Sequence, residues 1–253
     1  SSLYGYFNYG QVRSFLTNAA ASNPSNTVLA SAARYLPANA PSGPAQYAIP
    51  SSEMKALGLI SGSNGALDGS IGFAGNASGY DFDPRNGINA GSYDFQAVAA
   101  HELGEVLGRI SGLGASTYRT PLDLFRYSAP GVLSYDYNSP AYFSIDGGQT
   151  NGGNFNYSAS GGDRGDLAGG SSDIQNAFVS TGQNLNLTAG DLAMLDALGW
   201  GGANLGGSTW YAPDTVAFNL IDGAPDFNVP EPGSLALLAA GVAGLLFRRR
   251  RSA

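Results

Sequence analysis

A chain of 253 residues is long enough to bury one good core and carry a tail, so one domain with appendages is expected. Only 12% of the residues are charged and the formal net charge is −7, which leaves no basic surface to displace counterions from phosphates and excludes nucleic acid as a partner. The absence of cysteine excludes disulfides and thiolate chemistry, and 37 glycines among many Asn, Ser and Tyr residues suggest a loop-rich exported protein.

The chain opens on SSLYGYFNYG with no initiator Met, no basic n-region and no apolar h-region, which fits either a removed export signal or an N-terminal truncation. Residues 9–21 carry Val12, Phe15, Leu16 and Ala19 at helical spacing and predict an amphipathic helix. A second short helix is expected over 51–59, with Ser51 or Ser52 as its N-cap. Residues 68–74 read as a strand, with Ile71 and Phe73 alternating, and 76–91 as a Gly/Asn/Asp-rich loop. The longest well-patterned helix is expected over 94–110. A short strand over 141–145, a polar loop over 147–173 and a helix over 188–198 capped by Thr188 complete the folded part.

The helix over 94–110 contains AVAAHELGEVLG at residues 97–108. Phe95, Ala99, Leu103, Val106, Leu107 and Ile110 form a candidate core stripe. His101 and Glu105 lie four apart and stack on the opposite face, the geometry by which one helix offers two ligands to one metal. Glu102 sits beside them, where a general base could take a proton from water. Gly104 and Gly108 cost about 1 kcal/mol each relative to Ala inside a helix, so close approach of another segment is expected there. Two readings remain: a metal site with one histidine exchanged for Glu105, or a solvated helix face that carries His-Glu. His101 is the only histidine, so any imidazole chemistry must use it.

The run DGSIGFAGNASGYDFDPRNGINAGSYDFQAVAAHELGEVLG resembles zincin metallopeptidases of the metzincin type. GRISGLG, TPLDLFRYSAPG, SPAYFSIDGG, GGDRGDLA and LTAGDLAMLDALGW extend the resemblance, over about residues 5–200, to predicted bacterial metalloproteases that often carry PEP-CTERM tails. It implies an α+β zincin-like domain, with a mixed sheet packed against an active-site helix that turns sharply at Gly108. It further implies an HExxE zinc site in which His101 and Glu105 bind the metal and Glu102 is the general base. The metzincin third ligand falls at Ser111, and Leu133 stands where a Met-turn methionine is expected. The third ligand must then be a carboxylate, a tyrosine or water. Asp123 in TPLDLFR is the first choice and Asp146 the second; a helix cap or a partner for Arg126 is the alternative role for Asp123. Asp81 with Asp83, and Asp163 with Asp166, suggest calcium loops or ordinary Asp/Gly turns. Arg109 and Arg126 could polarise a scissile carbonyl or form structural ion pairs.

The chain ends VPEPGSLALLAAGVAGLLFRRRRSA. Residues 233–247 are uncharged and almost wholly apolar; as a helix they span about 22 Å, short for a hydrocarbon core of about 30 Å. The arginines that follow would hold the cytoplasmic side; a buried hairpin helix with a basic tail is the other possibility. The order Pro230, Glu231, Pro232, apolar stretch, then Arg248, Arg249, Arg250 and Arg251 resembles the PEP-CTERM sorting signal of Gram-negative bacteria. That resemblance implies processing by an exosortase, transient anchoring in the inner membrane, and a final place in the periplasm, at the cell surface or outside the cell. The expected organisation is a metallopeptidase domain over 1–200, an outer strand and linker over 201–228, and the sorting signal with its transmembrane helix over 229–253. The function expected is zinc-dependent hydrolysis of protein or peptide substrates. The rival is a non-catalytic surface or exopolysaccharide-matrix protein on a degenerate zincin scaffold.

Overall fold

The computed structural model describes residues 4–201 apart from 63–66, 74–76, 158, 160, 170 and 171; the expected linker and sorting tail lie outside the described residues. It is a mixed α+β structure with small sheets. In chain order the elements are β1 (Tyr4–Asn8), α1 (Tyr9–Ser22), α2 (Thr27–Arg34), β2 (Gln46–Pro50), α3 (Ser51–Ala56), β3 (Tyr80–Asp81), β4 (Tyr93–Asp94), α4 (Phe95–Val106), β5 (Tyr118–Arg119), β6 (Arg126–Ala129), β7 (Val132–Leu133), β8 (Tyr142–Phe143) and α5 (Ala189–Ala197).

The largest sheet has the order β1-β2-β5 and is mixed: β1 runs antiparallel to β2 from Tyr4↔Pro50 to Asn8↔Gln46, and β2 runs parallel to β5. A second sheet is ordered β7-β6-β8, and β3 pairs with β4 in parallel directly before α4. The main core joins Val12 and Leu16 of α1, Leu29 of α2, Tyr47 and Ile49 of β2, Leu122 and Leu124, Phe143 of β8, and Met194 and Leu198 at α5. Helix α1 begins at a capping box between Asn8 and Gln11, and α5 at one between Thr188 and Asp191.

Several local expectations change. Residues 68–73 form no extended strand, only a single bridge position at Gly69. The cap of α3 is Pro50; Ser51 and Ser52 lie in its first turn, and their hydroxyls bond the Asp68 carboxylate and the Val106 carbonyl instead. Strands β1 and β2 carry no alternating signal in the sequence, and helix α2 is capped by Asn26, whose side chain accepts from the Leu29 amide at 2.8 Å.

Helix α4 lies outside the main core. Its most buried members are Ala97 and Gly104, and Ala97 packs with Ile174 and Leu185 in a small separate cluster. The expected apolar stripe is only half-buried, because the long loop after β8 covers the other face, the one that carries His101. What fixes this helix most firmly is its C-terminus. Gly108, at φ +109°, closes a Schellman motif in which the Gly108 and Arg109 amides donate to Glu105 O (3.0 Å) and Gly104 O (2.9 Å). Val106 O accepts from the Ser52 hydroxyl and Leu107 O from the Trp200 indole at 2.7 Å, so all four terminal carbonyls have donors.

Candidate metal centre

Asp94 caps the start of α4 by accepting from the Ala97 amide at 3.1 Å, which sets the phase of the helix. From that start, His101 and Glu105 fall one turn apart on the same side, with His101 Nε2 3.8 Å from Glu105 Oε1. The His101 ring is oriented from behind: Nδ1 lies 2.8 Å from Ile174 O. A carbonyl only accepts, so Nδ1 carries the proton of the neutral ring and Nε2 keeps its lone pair toward Glu105. This is the arrangement by which a metal-binding histidine is held in one tautomer.

The third member comes from the polar loop. Asp166 of GGDRGD is buried and brings Oδ1 to 3.6 Å from His101 Nε2. The loop is held there by backbone pairing, with Asn156 N donating to Asp166 O and Leu167 N to Gln175 O, both at 2.8 Å. Two glycines allow the approach. A Cβ on Gly165 would stand 3.0–3.2 Å from the backbone of Ile110 and Ser111, and one on Gly104 would stand 2.8 Å from Gln175 Nε2. The close approach expected at Gly104 is therefore present, and its partner is the loop that carries the third carboxylate.

One ligand atom from each of His101, Glu105 and Asp166 lies within 4.8 Å of the others. Donors about 2.1 Å from a tetrahedral zinc stand about 3.4 Å apart, so the two separations to Nε2 need closing by only a few tenths of an ångström. The donor set fits a divalent cation: one imidazole nitrogen and two carboxylates.

The electrostatics favour a cation as well. Burial raises the pKa of the Glu105 carboxyl, the carboxylates of Asp163, Glu102 and Asp166 raise it further, and His101 offsets part of this. Burial also raises Asp166, against the lowering effects of His101 and Arg109. Crowded, half-buried carboxylates gain most from a bound dication. Glu102 is half-buried on the neighbouring helix position, close enough for its charge to act on Glu105.

Asp123, the sequence choice for the third ligand, is elsewhere and fully engaged. Its Oδ1 accepts from the Ser111 hydroxyl at 2.6 Å and its Oδ2 from the Gly112 and Thr120 amides at 2.9 Å. It caps the 3-10 turn Pro121–Phe125 and ties it to the segment after α4, the capping role held open for it. Asp146 is likewise spent, on Ser144 and Thr150. Asp81 accepts from the amides of Asp83 and Asn89, and Asp83 pairs with Arg85, so these are Asp/Gly turns with their carboxylates used internally. Asp163 accepts from the Gly165 amide. Arg126 donates to Arg164 O at 2.7 Å and lies over the Phe155 ring, buried away from any substrate. The sequence signal for Asp166 was a carboxylate in a Gly-rich turn, which equally marks ordinary loops.

Among the described residues no helix is long and apolar enough to cross a membrane. Residues 228–251 match the PEP-CTERM protein-sorting motif. No curated protein and no solved structure matches the chain. The sorting match covers the C-terminal end, and it is the signature of a protein exported to the cell envelope or surface through an exosortase.

Proposed function

We propose that the chain is an exported metal-dependent hydrolase of peptide bonds, with a zincin-like centre made of His101, Glu105 and Asp166. The observation that carries this reading is the convergence of those three donors within 4.8 Å, around a histidine whose other nitrogen is already bonded to Ile174 O. Zinc held there would polarise the substrate carbonyl and acidify water, less strongly than in a histidine-rich site because two carboxylates offset its charge, which places the pH optimum of hydrolysis on the alkaline side. The protein's own part is then definable. His101 and the two carboxylates orient the centre, and Ile174 O keeps the imidazole proton on Nδ1. Glu102 accepts the proton of the attacking water and returns it to the leaving amine as the C–N bond breaks.

Full-length chain purified without added metal should contain close to one equivalent of zinc by elemental analysis. Glu102→Gln should keep that metal and lose peptidase activity on a denatured protein substrate by 100-fold or more. Metal-free protein, or unchanged activity in Glu102→Gln, would overturn the reading. The competing reading, a non-catalytic surface or matrix protein, is favoured by exposed aromatic rings such as Tyr6, Phe82 and Tyr93, which suit sugar stacking. It predicts a folded, metal-free domain that binds exopolysaccharide.

A further inference from the structure

Arg109 is the residue of α4's closing motif whose side chain has no evident reason to be where it is. Its backbone amide is tied to Gly104 O, which fixes the residue against the last turn of the metal helix. Its side chain is 0% exposed. Burying a guanidinium costs several kcal/mol unless the charge is matched, so its partners should be strong ones. Nη1 donates to Gln175 Oε1 at 2.6 Å and lies 3.5 Å from Asp166 Oδ1. Nε and Nη2 make no hydrogen bond among the described residues, and neither does Asp166 Oδ1, whose approaches to His101 and Arg109 are ion-pair distances. Arg109 also acts electrostatically on Asp191, which sits in the first turn of α5. Unbonded guanidinium nitrogens of Arg109 and an unbonded oxygen of Asp166 therefore lie together in the interior.

The neighbouring segment 173–176 is organised around the same point. Asp173 accepts from the Gln175 amide at 2.7 Å and from the Thr188 hydroxyl at 3.0 Å; Thr188 is the cap of α5. Ile174 O accepts a hydrogen bond from His101 Nδ1, and Gln175 packs against Gly104 while accepting from Arg109. One short segment thus orients both the histidine and the arginine.

We infer that Arg109 is a positioning residue of the metal centre: clamped by Gln175, its guanidinium holds the Asp166 carboxylate toward His101. The inference rests on the metal-centre reading above. The sign of the effect separates positioning from mere charge. A buried cation beside a dication opposes metal binding, so deleting an arginine that supplied only charge would tighten binding. Deleting one that orients a ligand weakens it, by about 10–100-fold for groups behind the ligands of a metal.

The test is zinc affinity of the full-length chain by chelator competition, with the visible spectrum of the cobalt-substituted protein as a report on ligand geometry. Arg109→Met is expected to bind zinc about 10–100-fold more weakly and to shift the cobalt spectrum. Arg109→Lys should fall between it and wild type, because an ammonium keeps the charge but cannot serve Gln175 and Asp166 in a fixed fork. Unchanged or tighter zinc binding in a folded Arg109→Met would overturn the inference while leaving the metal centre standing. Should both arginine variants fail to fold, Gln175→Met decides: weakening of about tenfold or more supports the clamp, and unchanged affinity overturns it. A wild-type chain that binds no zinc removes the metal centre and this inference together.

Discussion

Glu53 offers a quantitative test of how α3 and α4 pack. Its carboxyl is 0% exposed, neither oxygen has a partner among the described residues, and the end of α4 lies directly on it: a Cβ on Gly108 would stand 2.6 Å from Oε2. The nearby cation on α3, Lys55, is bonded to Asp68 at 2.7 Å. Burial therefore raises the pKa of Glu53 well above its ordinary value of 4.5. A carboxyl of this kind keeps its proton in the fold after the unfolded chain has lost it, so the unfolded state binds fewer protons. Stability then falls as pH rises from the unfolded value toward the folded one, by about 1.4 kcal/mol per pH unit for one group. Glu53→Gln removes the titration. The difference in unfolding free energy, variant minus wild type, should therefore grow with pH above the unfolded value, at up to about 1.4 kcal/mol per pH unit while Glu53 keeps its proton in the fold. Any constant cost of the amide in that site cancels in the pH dependence, as do the other buried carboxyls common to both proteins. Urea unfolding of each protein at pH 5, 6 and 7 gives the two slopes. Parallel slopes would refute the reasoning, because they would mean that Glu53 titrates alike in both states.

Asp166 and Asp123 should separate cleanly in a paired experiment. Asp166→Asn is expected to lose zinc binding by at least 100-fold, whereas Asp123→Ala orphans the Gly112 and Thr120 amides and the Ser111 hydroxyl and should cost roughly 3 kcal/mol or more of stability without a direct loss of a metal ligand; calorimetry and chelator competition on both variants check this. Glu105→His replaces a carboxylate by a neutral imidazole, so it is expected to bind zinc more tightly and to move the pH optimum of hydrolysis to lower pH. Zinc affinity unchanged within error would show that Glu105 is not a ligand.

How much of this was legible in the sequence depends on the distance over which each feature is determined. Helices α1 and α5 could be read because cap and apolar spacing are local: Asn8 with Gln11 and Thr188 with Asp191 lie within four residues. The pairing of His101 with Glu105 was legible for the same reason, being a property of one helical turn. Strands β1 and β2 were not, because YGYFN and QYAIP become strands by pairing with each other across forty residues of chain, not by an alternating pattern of their own. The stripe along α4 misled because it assumed that the apolar face meets the core; here a polar loop with its own small cluster claims the opposite face. Asp123 and Asp166 show the same limit at the site. Both are acidic residues in turns downstream of the helix, and nothing local distinguishes the one that caps a turn from the one that reaches the histidine.

The centre's position also explains why glycines are concentrated around it. Three backbones have to meet within a few ångströms: the last turns of α4, the segment after Gly108, and the loop that carries Asp166. At each crossing the residue is one without a side chain: Gly104 under Gln175, Gly108 over Glu53, Gly165 against Ile110 and Ser111. Each such glycine costs conformational entropy in the unfolded chain, about 0.5–1 kcal/mol relative to alanine in a regular element. No apolar burial by α4 in the main core offsets it, since that core includes no residue of α4. What the close approach achieves is polar: it lets a loop carbonyl reach His101, an amide reach Arg109 and a buried carboxylate reach the imidazole. A fold that needed only to bury α4 would do better with alanine at Gly104 and an apolar residue at Asp166. The arrangement makes physical sense when those three polar contacts are what the loop is for.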